Sequence, residues 1–456
     1  MFYVLASCLA VLGAATCILF PRLSLAGIIF LLFVNAPIFL AIAFDISAVT
    51  EVALLGLIVI IIRDLYVERD LPVMLVPVLA VCLLYLNSIL VGWFVAPHPD
   101  LVISGTAELA KEMLLPVLLV ATLRTHDRIM GAFAGIAAAT AALSFIAVAQ
   151  WMSGADLSAR FGFDFTRDAQ AEGEIGALRY QSLIGESNYF ALILVTAIPV
   201  LVPFYILFRS PLLRIIAIAV IVSVLISLYL TASRGALIGL AVVIAFAARK
   251  QVTLLMLLPV LFVAVGIAAY EYLPAGYVER YEILAQDTVR LFHGASYFQD
   301  KSISGRVSEM AVGLIHFVEN PWFGVGYNQF ESLYQDTARL NGLMARGADR
   351  QAHSLYVEIL AERGIFGAMV FMLLVTFAVS SAIFGKAALD RDGNISLGWF
   401  AAMLPLSFVG YLATSLFLHE AYPRYFWILF ALACAMPQSS NTQNNRITGE
   451  TRNVCE

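Results

Sequence analysis

The sequence predicts an all-α polytopic membrane protein with about 12–13 transmembrane helices and one large polar loop. Of its 456 residues, 61% are hydrophobic and 13% are charged, and the mean hydropathy is +0.88. Soluble domains contain about 45–50% apolar and about 25% charged residues. Apolar runs of about 20 residues recur along the chain without alternating in polarity. Such runs favour helices, which satisfy their own backbone hydrogen bonds in lipid.

Thirteen apolar segments are recognised in order along the chain. They lie near 2–20, 23–44, 48–62, 71–94, 103–123, 129–152, 188–208, 212–232, 235–248, 251–271, 354–384, 396–418 and 423–437. The third and ninth are short and the first counts as a half-span in a twelve-helix alternative. The first segment lacks the basic start of a signal peptide and a second apolar run follows it directly, so we expect a retained helix.

Short connections rich in Lys and Arg predict the orientation, because such loops stay on the cytoplasmic side. Basic residues occupy every second short connection. The alternation places the large loop outside and the C-terminus in the cytoplasm. The predicted organisation is N-terminal transmembrane helices over 1–177, helices with a Ser-Arg-Gly turn over 178–271, the large loop over 272–353, C-terminal transmembrane helices over 354–437 and a disordered cytoplasmic tail over 438–456.

Polar residues at the predicted outer ends of the segments indicate a site. They are Arg179 and Asn188 near the start of the seventh segment, Arg234 in a tight turn, Arg306 in a predicted amphipathic helix over 305–318, His353 before the eleventh segment and Arg424 before the last. The arginine fork stays charged and binds phosphate oxygens in pairs, so this set suits a lipid diphosphate. Snorkelling towards headgroups also explains any single arginine.

Arg234 and His353 stand out within this set. Arg234 occupies a turn between Ser233 and Gly235, where a backbone can approach a ligand closely. The imidazole of a histidine such as His353 can act as a base on an acceptor hydroxyl near neutral pH. The alternative for His353 is a polar neighbour of the helix cap.

The eleventh segment predicts one long helix that begins after Ser354, a candidate N-cap residue. A continuous helix to about residue 384 would measure about 46 Å, which exceeds a hydrocarbon core of about 30 Å. Its first turns would therefore project beyond the core or tilt. Glu358 and Glu362 lie on one face of these turns at i,i+4 spacing.

The fifth segment carries Glu108, Lys111 and Glu112. A charge near mid-membrane costs roughly 2.5–3.5 kcal/mol on insertion scales, so these residues should pair or face a cavity. The i,i+3 spacing allows Lys111 to meet Glu108. The three charges either underlie the outer site or form a structural ion pair near the interface.

Several chemical motifs are missing from the sequence. It contains no GxxxxGK[ST] loop, no HExxH and no zinc-ligand spacing, so we predict no metal site and no cofactor. Asp390 and Asp392 form the only D-x-D pattern, which we interpret as a solvated hinge on the cytoplasmic side. The net charge of −5 argues against a nucleic-acid partner.

Four motifs between about 178 and 370 carry a resemblance to a known family. They are "GESNYFA", the "SRG" around Arg234, "SGRVSEMAVGLIHFVENPWFGVGYNQF" and "AHSLYVEILAERGIFG". Together they resemble the O-antigen ligase and O-antigen polymerase superfamily of bacterial envelope proteins. The last two look like "NPxFGxGxxxF" and "HNxxLxxLxExGxxG", with Ser354 where Asn is usual.

The resemblance implies a membrane glycosyltransferase of the C type in the bacterial inner (cytoplasmic) membrane, with its active site facing the periplasm. The implied substrate is a glycan on undecaprenyl diphosphate, moved to an acceptor glycan or lipid A-core with inversion. By position, Arg234 with Arg306 or Arg179 would bind the diphosphate, and His353 would orient or deprotonate the acceptor. Supporting roles are expected for Asn188, Glu358, Glu108, Lys111 and Arg424.

The type of transfer is left open by the sequence. The acidic net charge favours a polymerase, which joins repeat units and works with a chain-length regulator, because ligases tend to be basic. An O-antigen ligase and a protein O-oligosaccharyltransferase are the alternatives. A solute transporter with Glu108 and Lys111 near the midplane is the alternative from another class, although the sequence shows no internal repeat.

Overall fold

A computed structural model describes residues 13–46, 48–153, 179–249, 301–345, 350–419 and 424–438. Within these ranges the secondary structure is helical, with no β-strand. The chain is a multi-pass membrane protein of the all-α class, as predicted. The predicted tenth segment, the large loop up to residue 300, most of the 153–187 connection and almost all of the tail lie outside the described residues.

The described helices are labelled in chain order. They are α1 (Pro21–Phe33), α2 (Ala36–Phe44), α3 (Val49–Glu68), α4 (Leu75–Leu90), α5 (Pro99–Thr122), α6 (His126–Ser153), α7 (Ser187–Leu207), α8 (Pro211–Leu230), α9 (Arg234–Ala248), α10 (Lys301–Glu319), α11 (Phe330–Leu340), α12 (Leu355–Arg391), α13 (Ile395–Thr414) and α14 (424–438). A helical stretch over 13–19 precedes α1, and 3-10 turns follow α4 (Val91–Phe94) and α13 (Ser415–Phe417).

Six described helices are long and apolar enough to cross a membrane: α4, α6, α7, α8, α12 and α13, with α4 and α13 counted together with their 3-10 turns. The helices α1 and α2 together meet the same criterion as one span that is bent by 61°. The predicted total of 12–13 spans stays a prediction, because the described residues do not include every predicted segment.

Small residues allow the helices to approach closely, as is common between helices in membranes. A Cβ atom added to Gly135 of α6 would lie 2.5 Å from the carbonyl oxygen of Ala26 in α1. A Cβ on Gly239 of α9 would lie 2.1 Å from the hydroxyl of Thr414 in α13. Two thirds of the residues of α7 are buried, so it lies in the interior of the bundle.

The helix α10 confirms the predicted amphipathic helix and extends it to Lys301–Glu319. Its apolar residues Val307 and Leu314 are exposed, whereas Glu309 and Val312 are completely buried. An exposed apolar face on a helix outside the spans suits contact with the lipid interface. The polar face of α10 is therefore turned towards the protein.

The expected uninterrupted helix after Ser354 is wrong. Gly364 inside α12 has φ 62° and ψ −162°, which breaks the helix and separates a short segment over 355–363 from the long span. A Cβ at this position would lie 2.4 Å from the carbonyl carbon of Trp322. Only glycine readily adopts this conformation, and the contact leaves no space for a side chain. The apolar pattern of the sequence continues through the break, so it does not reveal it.

The loop between α10 and α11 is hydrogen-bonded into this break. The N–H groups of Val325 and Gly326 donate to the carbonyl oxygens of Ala361 and Glu362 at 2.9 and 3.0 Å. After the break, the N–H of Ile365 donates to the oxygen of Pro321 at 2.8 Å. The "NPWFGVG" and "AERGIFG" motifs thus form one structural unit.

Candidate functional site

Arg179 connects the start of α7 to the turn that carries Arg234. Its Nε donates to the carbonyl oxygen of Thr231 at 3.0 Å, and its Nη2 donates to Oδ1 of Asn188 at 2.7 Å. Asn188 donates in turn to Oε1 of Glu186 at 2.7 Å. The predicted neighbours Arg179, Asn188 and the Arg234 turn are therefore brought together, and Arg179 serves to hold the turn in place.

Arg234 begins α9 at a sharp change of backbone direction. Ala232 has a φ of 51°, and Ser233 is the N-cap residue in an extended conformation. Next to the arginine, a Cβ on Gly235 would lie 3.0 Å from Cβ of Phe417. The start of α9 therefore packs against the 3-10 turn that leads to His419. The side chain of Arg234 is half-buried in this region.

His353 and His419 form a pair at the same end of the bundle. Their ring centroids are 5.4 Å apart with an interplanar angle of 80°, an edge-to-face arrangement. The ring of His419 also meets the ring of Tyr189 edge to face at 5.2 Å. The Tyr189 hydroxyl donates to the carbonyl oxygen of His419 at 2.9 Å, which fixes the backbone there. The first turn of α7 thus positions His419 beside His353.

Glu309 of α10 reaches His353 from the other side. Its Oε2 lies 3.5 Å from Nε2 of His353, and the glutamate side chain is completely buried, whereas that of His353 is 24% exposed. His353 has a φ of 48°, a left-handed conformation at the start of α12. Arg306 lies one helical turn before Glu309 on the same face of α10. The large loop therefore delivers an arginine and a buried carboxylate to the histidine.

Electrostatics keep His419 neutral in this cluster. The pKa of His419 is lowered to about 3, chiefly by burial and in addition by the electrostatic effect of His353 and Arg306. Its Nδ1 is buried and has no hydrogen-bond partner among the described residues. The neutral imidazole of His419 leaves Arg306 and Glu309 as the charged groups around His353.

Sequence reasoning missed Glu309 and His419. The i,i+3 spacing from Arg306 was the available signal for Glu309, since it places both residues on one face of the predicted helix. No motif marks His419, although it lies in the same short connection as Arg424. Both residues join the site through tertiary contacts to His353.

The two glutamates after His353 have different surroundings. The Oε1 atom of Glu362 accepts a hydrogen bond from the N–H of Phe330 at 3.0 Å, which caps the start of α11. Glu362 is therefore structural. Glu358 is half-buried on the short segment that follows His353, so its supporting role stays a prediction.

The described structure contains no ion pair between Lys111 and Glu108, and both residues line a cavity, which is the alternative that the sequence left open. Glu112 instead approaches Arg424 of α14, with 3.7 Å between Oε1 and Nη2. Arg424 also donates to Oδ1 of Asn35 at 3.5 Å. The packing of α14 thus gives Glu112 a partner but supplies none for Glu108 or Lys111 among the described residues. These charges line a cavity of their own.

The fold and the site define an all-helical, multi-pass membrane protein with an arginine and histidine cluster at one end of its bundle. Residues 217–372, about a third of the chain, match a family described as O-antigen ligase. The matched segment includes Arg234, Arg306 and His353. The predicted resemblance to the O-antigen ligase and polymerase superfamily is confirmed. The match supports a glycan transferase of the ligase or polymerase type in general. A search of curated proteins finds no match to this chain.

Proposed function

We propose that the protein transfers a glycan from undecaprenyl diphosphate to an acceptor hydroxyl at the periplasmic face of the bacterial inner membrane. The observation that carries this proposal is the contact of His353 with buried Glu309 beside Arg306, inside the segment that matches O-antigen ligases. Such a transfer uses a base for the acceptor hydroxyl, a carboxylate that orients the base, and positive charge near the leaving diphosphate.

The proposed donor site uses the positive charge of Arg306 and Arg234. Arginine binds two phosphate oxygens at once and keeps its charge, which suits a diphosphate leaving group. Neutralisation of the charge that develops on the diphosphate supplies a large part of the catalysis. Arg179 contributes by holding the Arg234 turn through Thr231. We propose that these arginines replace a metal ion in this role.

His353 is the proposed general base. Its Nε2 faces Glu309, so an N–H at Nε2 donates towards the carboxylate and leaves Nδ1 to accept a proton. The acceptor oxygen attacks the anomeric carbon while the bond from that carbon to the diphosphate oxygen breaks. The acceptor proton moves to Nδ1 of His353, undecaprenyl diphosphate leaves, and the anomeric configuration inverts. Glu309 orients the imidazole and stabilises its charged form, a role that carboxylates play in catalytic triads.

Within this function, the acidic net charge of −5 favours the polymerase over the ligase. The specific observation for the ligase is the description of the matched family. Purified protein with lipid-linked repeat units as the sole substrate separates the two. A ladder of longer lipid-linked glycans supports the polymerase, whereas product formation that requires added lipid A-core supports the ligase.

The function itself is tested in a strain that lacks the gene and receives variants on a plasmid. His353→Ala and Arg306→Ala are expected to abolish surface glycan, because the first removes the base and the second removes charge from the diphosphate site. Arg339→Ala in the exposed part of α11 is the matched control and should leave the glycan normal. Wild-type glycan with both site variants, at equal membrane abundance, contradicts the assignment.

Metal independence and inversion are separate parts of the proposal. Activity of the purified protein should survive treatment with a chelator, and NMR of the product should show the anomeric configuration opposite to that of the donor. Loss of activity that added Mg²⁺ or Mn²⁺ restores contradicts the first part. Retained configuration contradicts the second.

A further inference from the structure

A cavity of about 660 Å³ lies between the bent pair α1–α2, the start of α3, the middle of α5 and the start of α14. Its charged lining residues are Glu51, Glu108, Lys111, Glu112 and Arg424. Tyr327 from the loop between α10 and α11 also contributes, and the remaining described lining is mostly leucine. Neither histidine of the proposed catalytic pair belongs to this lining. The cavity is therefore a second site.

The cavity lies beside the loop between α10 and α11, along the part of α5 that falls in the predicted fifth apolar segment. His98 and Gln329 exchange two hydrogen bonds of 3.0 and 2.8 Å, which tie the start of α5 to that loop. Glu108 and Lys111 follow Pro99 by nine and twelve residues, or about 14 and 18 Å along the helix axis. The headgroup layer is roughly 5–8 Å thick on each side. Both charges thus fall within the predicted apolar segment over 103–123, farther from Pro99 than the thickness of a headgroup layer.

The charges of the cavity fall into two groups. Glu112 and Arg424 approach each other at 3.7 Å and offset one another. Glu108 and Lys111 lie on the same helix but form neither an ion pair nor a hydrogen bond with any described residue. Glu51, in the first turn of α3, likewise has no such partner there. The cavity therefore presents one ammonium group and two carboxylates to a ligand.

A ligand that carries both signs of charge matches this arrangement. Ionisable residues at membrane depth are costly and mark functional sites unless they are paired. A phosphate suits Lys111, and a primary ammonium suits Glu108 and Glu51, because it donates hydrogen bonds to carboxylates. An anionic headgroup without an amine would leave both carboxylates without a counter-charge. The leucines of the lining offer contact to acyl chains, and the volume falls within the usual range for ligand sites, about 300–1,000 Å³.

We propose that this cavity binds a phospholipid with a phosphoethanolamine headgroup. Lys111 contacts the phosphate, Glu108 and Glu51 contact the ammonium, and the Glu112–Arg424 pair closes the inner side. The bound lipid would join α5 to α14 and to the loop through Tyr327. This binding is a property beyond the proposed glycan transfer and does not depend on it.

Native mass spectrometry of the purified full-length protein tests the proposal. Phosphatidylethanolamine, phosphatidylcholine and phosphatidylglycerol with identical acyl chains are titrated separately. The wild type should retain phosphatidylethanolamine about tenfold better than either other lipid, which corresponds to one additional charge-assisted contact. Lys111→Met and Glu108→Gln should each remove most of this preference. Lys386→Met is the matched control, because Lys386 pairs only with Asp390 on the exposed end of α12.

Equal retention of the three lipids by the wild type overturns the proposal, as does an undiminished preference in both cavity variants. A preference for phosphatidylglycerol overturns it too, since it indicates a site for anionic lipid. Glu51→Gln provides a third variant at an exposed position, so a folding defect in α5 does not prevent the test. Glycan transfer is not measured here, so a negative result leaves the proposed enzymatic function intact.

Discussion

Glu309→Gln is the substitution that most directly tests the proposed arrangement around His353. It keeps the size of a completely buried side chain but removes the negative charge 3.5 Å from Nε2 of the histidine. A hydrogen bond to a charged group contributes about 1.5–3 kcal/mol. The contact of 3.5 Å is an ion-pair distance and becomes a hydrogen bond only when the imidazole moves closer, so we take the lower part of this range, about 1.5–2 kcal/mol. The expected loss in kcat is therefore about 10- to 30-fold.

The assay is glycan transfer by purified protein from a synthetic lipid-linked donor, with kcat and KM measured separately. The KM for the donor should change little, because Arg306 and Arg234 still bind the diphosphate. Glu319→Gln, at the exposed end of the same helix, is the matched control and should leave both constants unchanged. An unchanged kcat in Glu309→Gln, or a raised KM with normal kcat, would refute the role of Glu309 as the positioning residue of His353.

Three further predictions concern other parts of the structure. Arg234→Ala is expected to abolish surface glycan, which is measured on gels. Arg234→Lys should retain only a minor part of the glycan, because lysine cannot bind two phosphate oxygens at once. Arg214→Ala changes an exposed arginine of α8 and should leave the glycan normal. Gly364→Ala should destabilise the protein by about 1–3 kcal/mol or more, measured as a lower Tm. Gly342→Ala should lower the Tm less, because Gly342 also has a positive φ but has open space around it. The pKa of His419 is about 3 in the folded protein, below the usual 6.5, so the unfolded chain binds more protons between these two pH values. The stability of the protein therefore falls as the pH is lowered through this window. His419→Phe should reduce this acid sensitivity of Tm, and an equal pH dependence of Tm in both proteins would contradict the buried neutral state.

The local chemistry of the sequence predicted part of the site. Arg234, Arg306 and His353 were recognised from their motifs, and the structure holds His353 beside the face of α10 that carries Arg306. Helical spacing permitted a contact between Lys111 and Glu108, but the described structure contains no such pair. Spacing shows which contacts are possible, and only the packing of α14 brings Arg424 to Glu112.

The break in α12 shows a second limit of sequence reasoning. Hydropathy continues through Gly364, and a lone glycine inside an apolar run is compatible with a continuous helix. The loop around Gly326 donates its N–H groups to the carbonyl oxygens of Ala361 and Glu362, and this pairing replaces helical hydrogen bonds at the break. The conformation therefore depends on a segment more than 30 residues away in the chain.

The sequence by itself determined that this chain is a helical membrane protein and which motif residues belong to its candidate site. Hydropathy and charge patterns are properties of residues that are close together in the sequence, so they can be read without the structure. Only the tertiary structure decided that Glu309 and His419 flank His353, and that α5 and α14 enclose a separate charged cavity. These partners are 44 and 66 positions from His353 in the chain. Their proximity results from the packing of helices whose contacts no local pattern records.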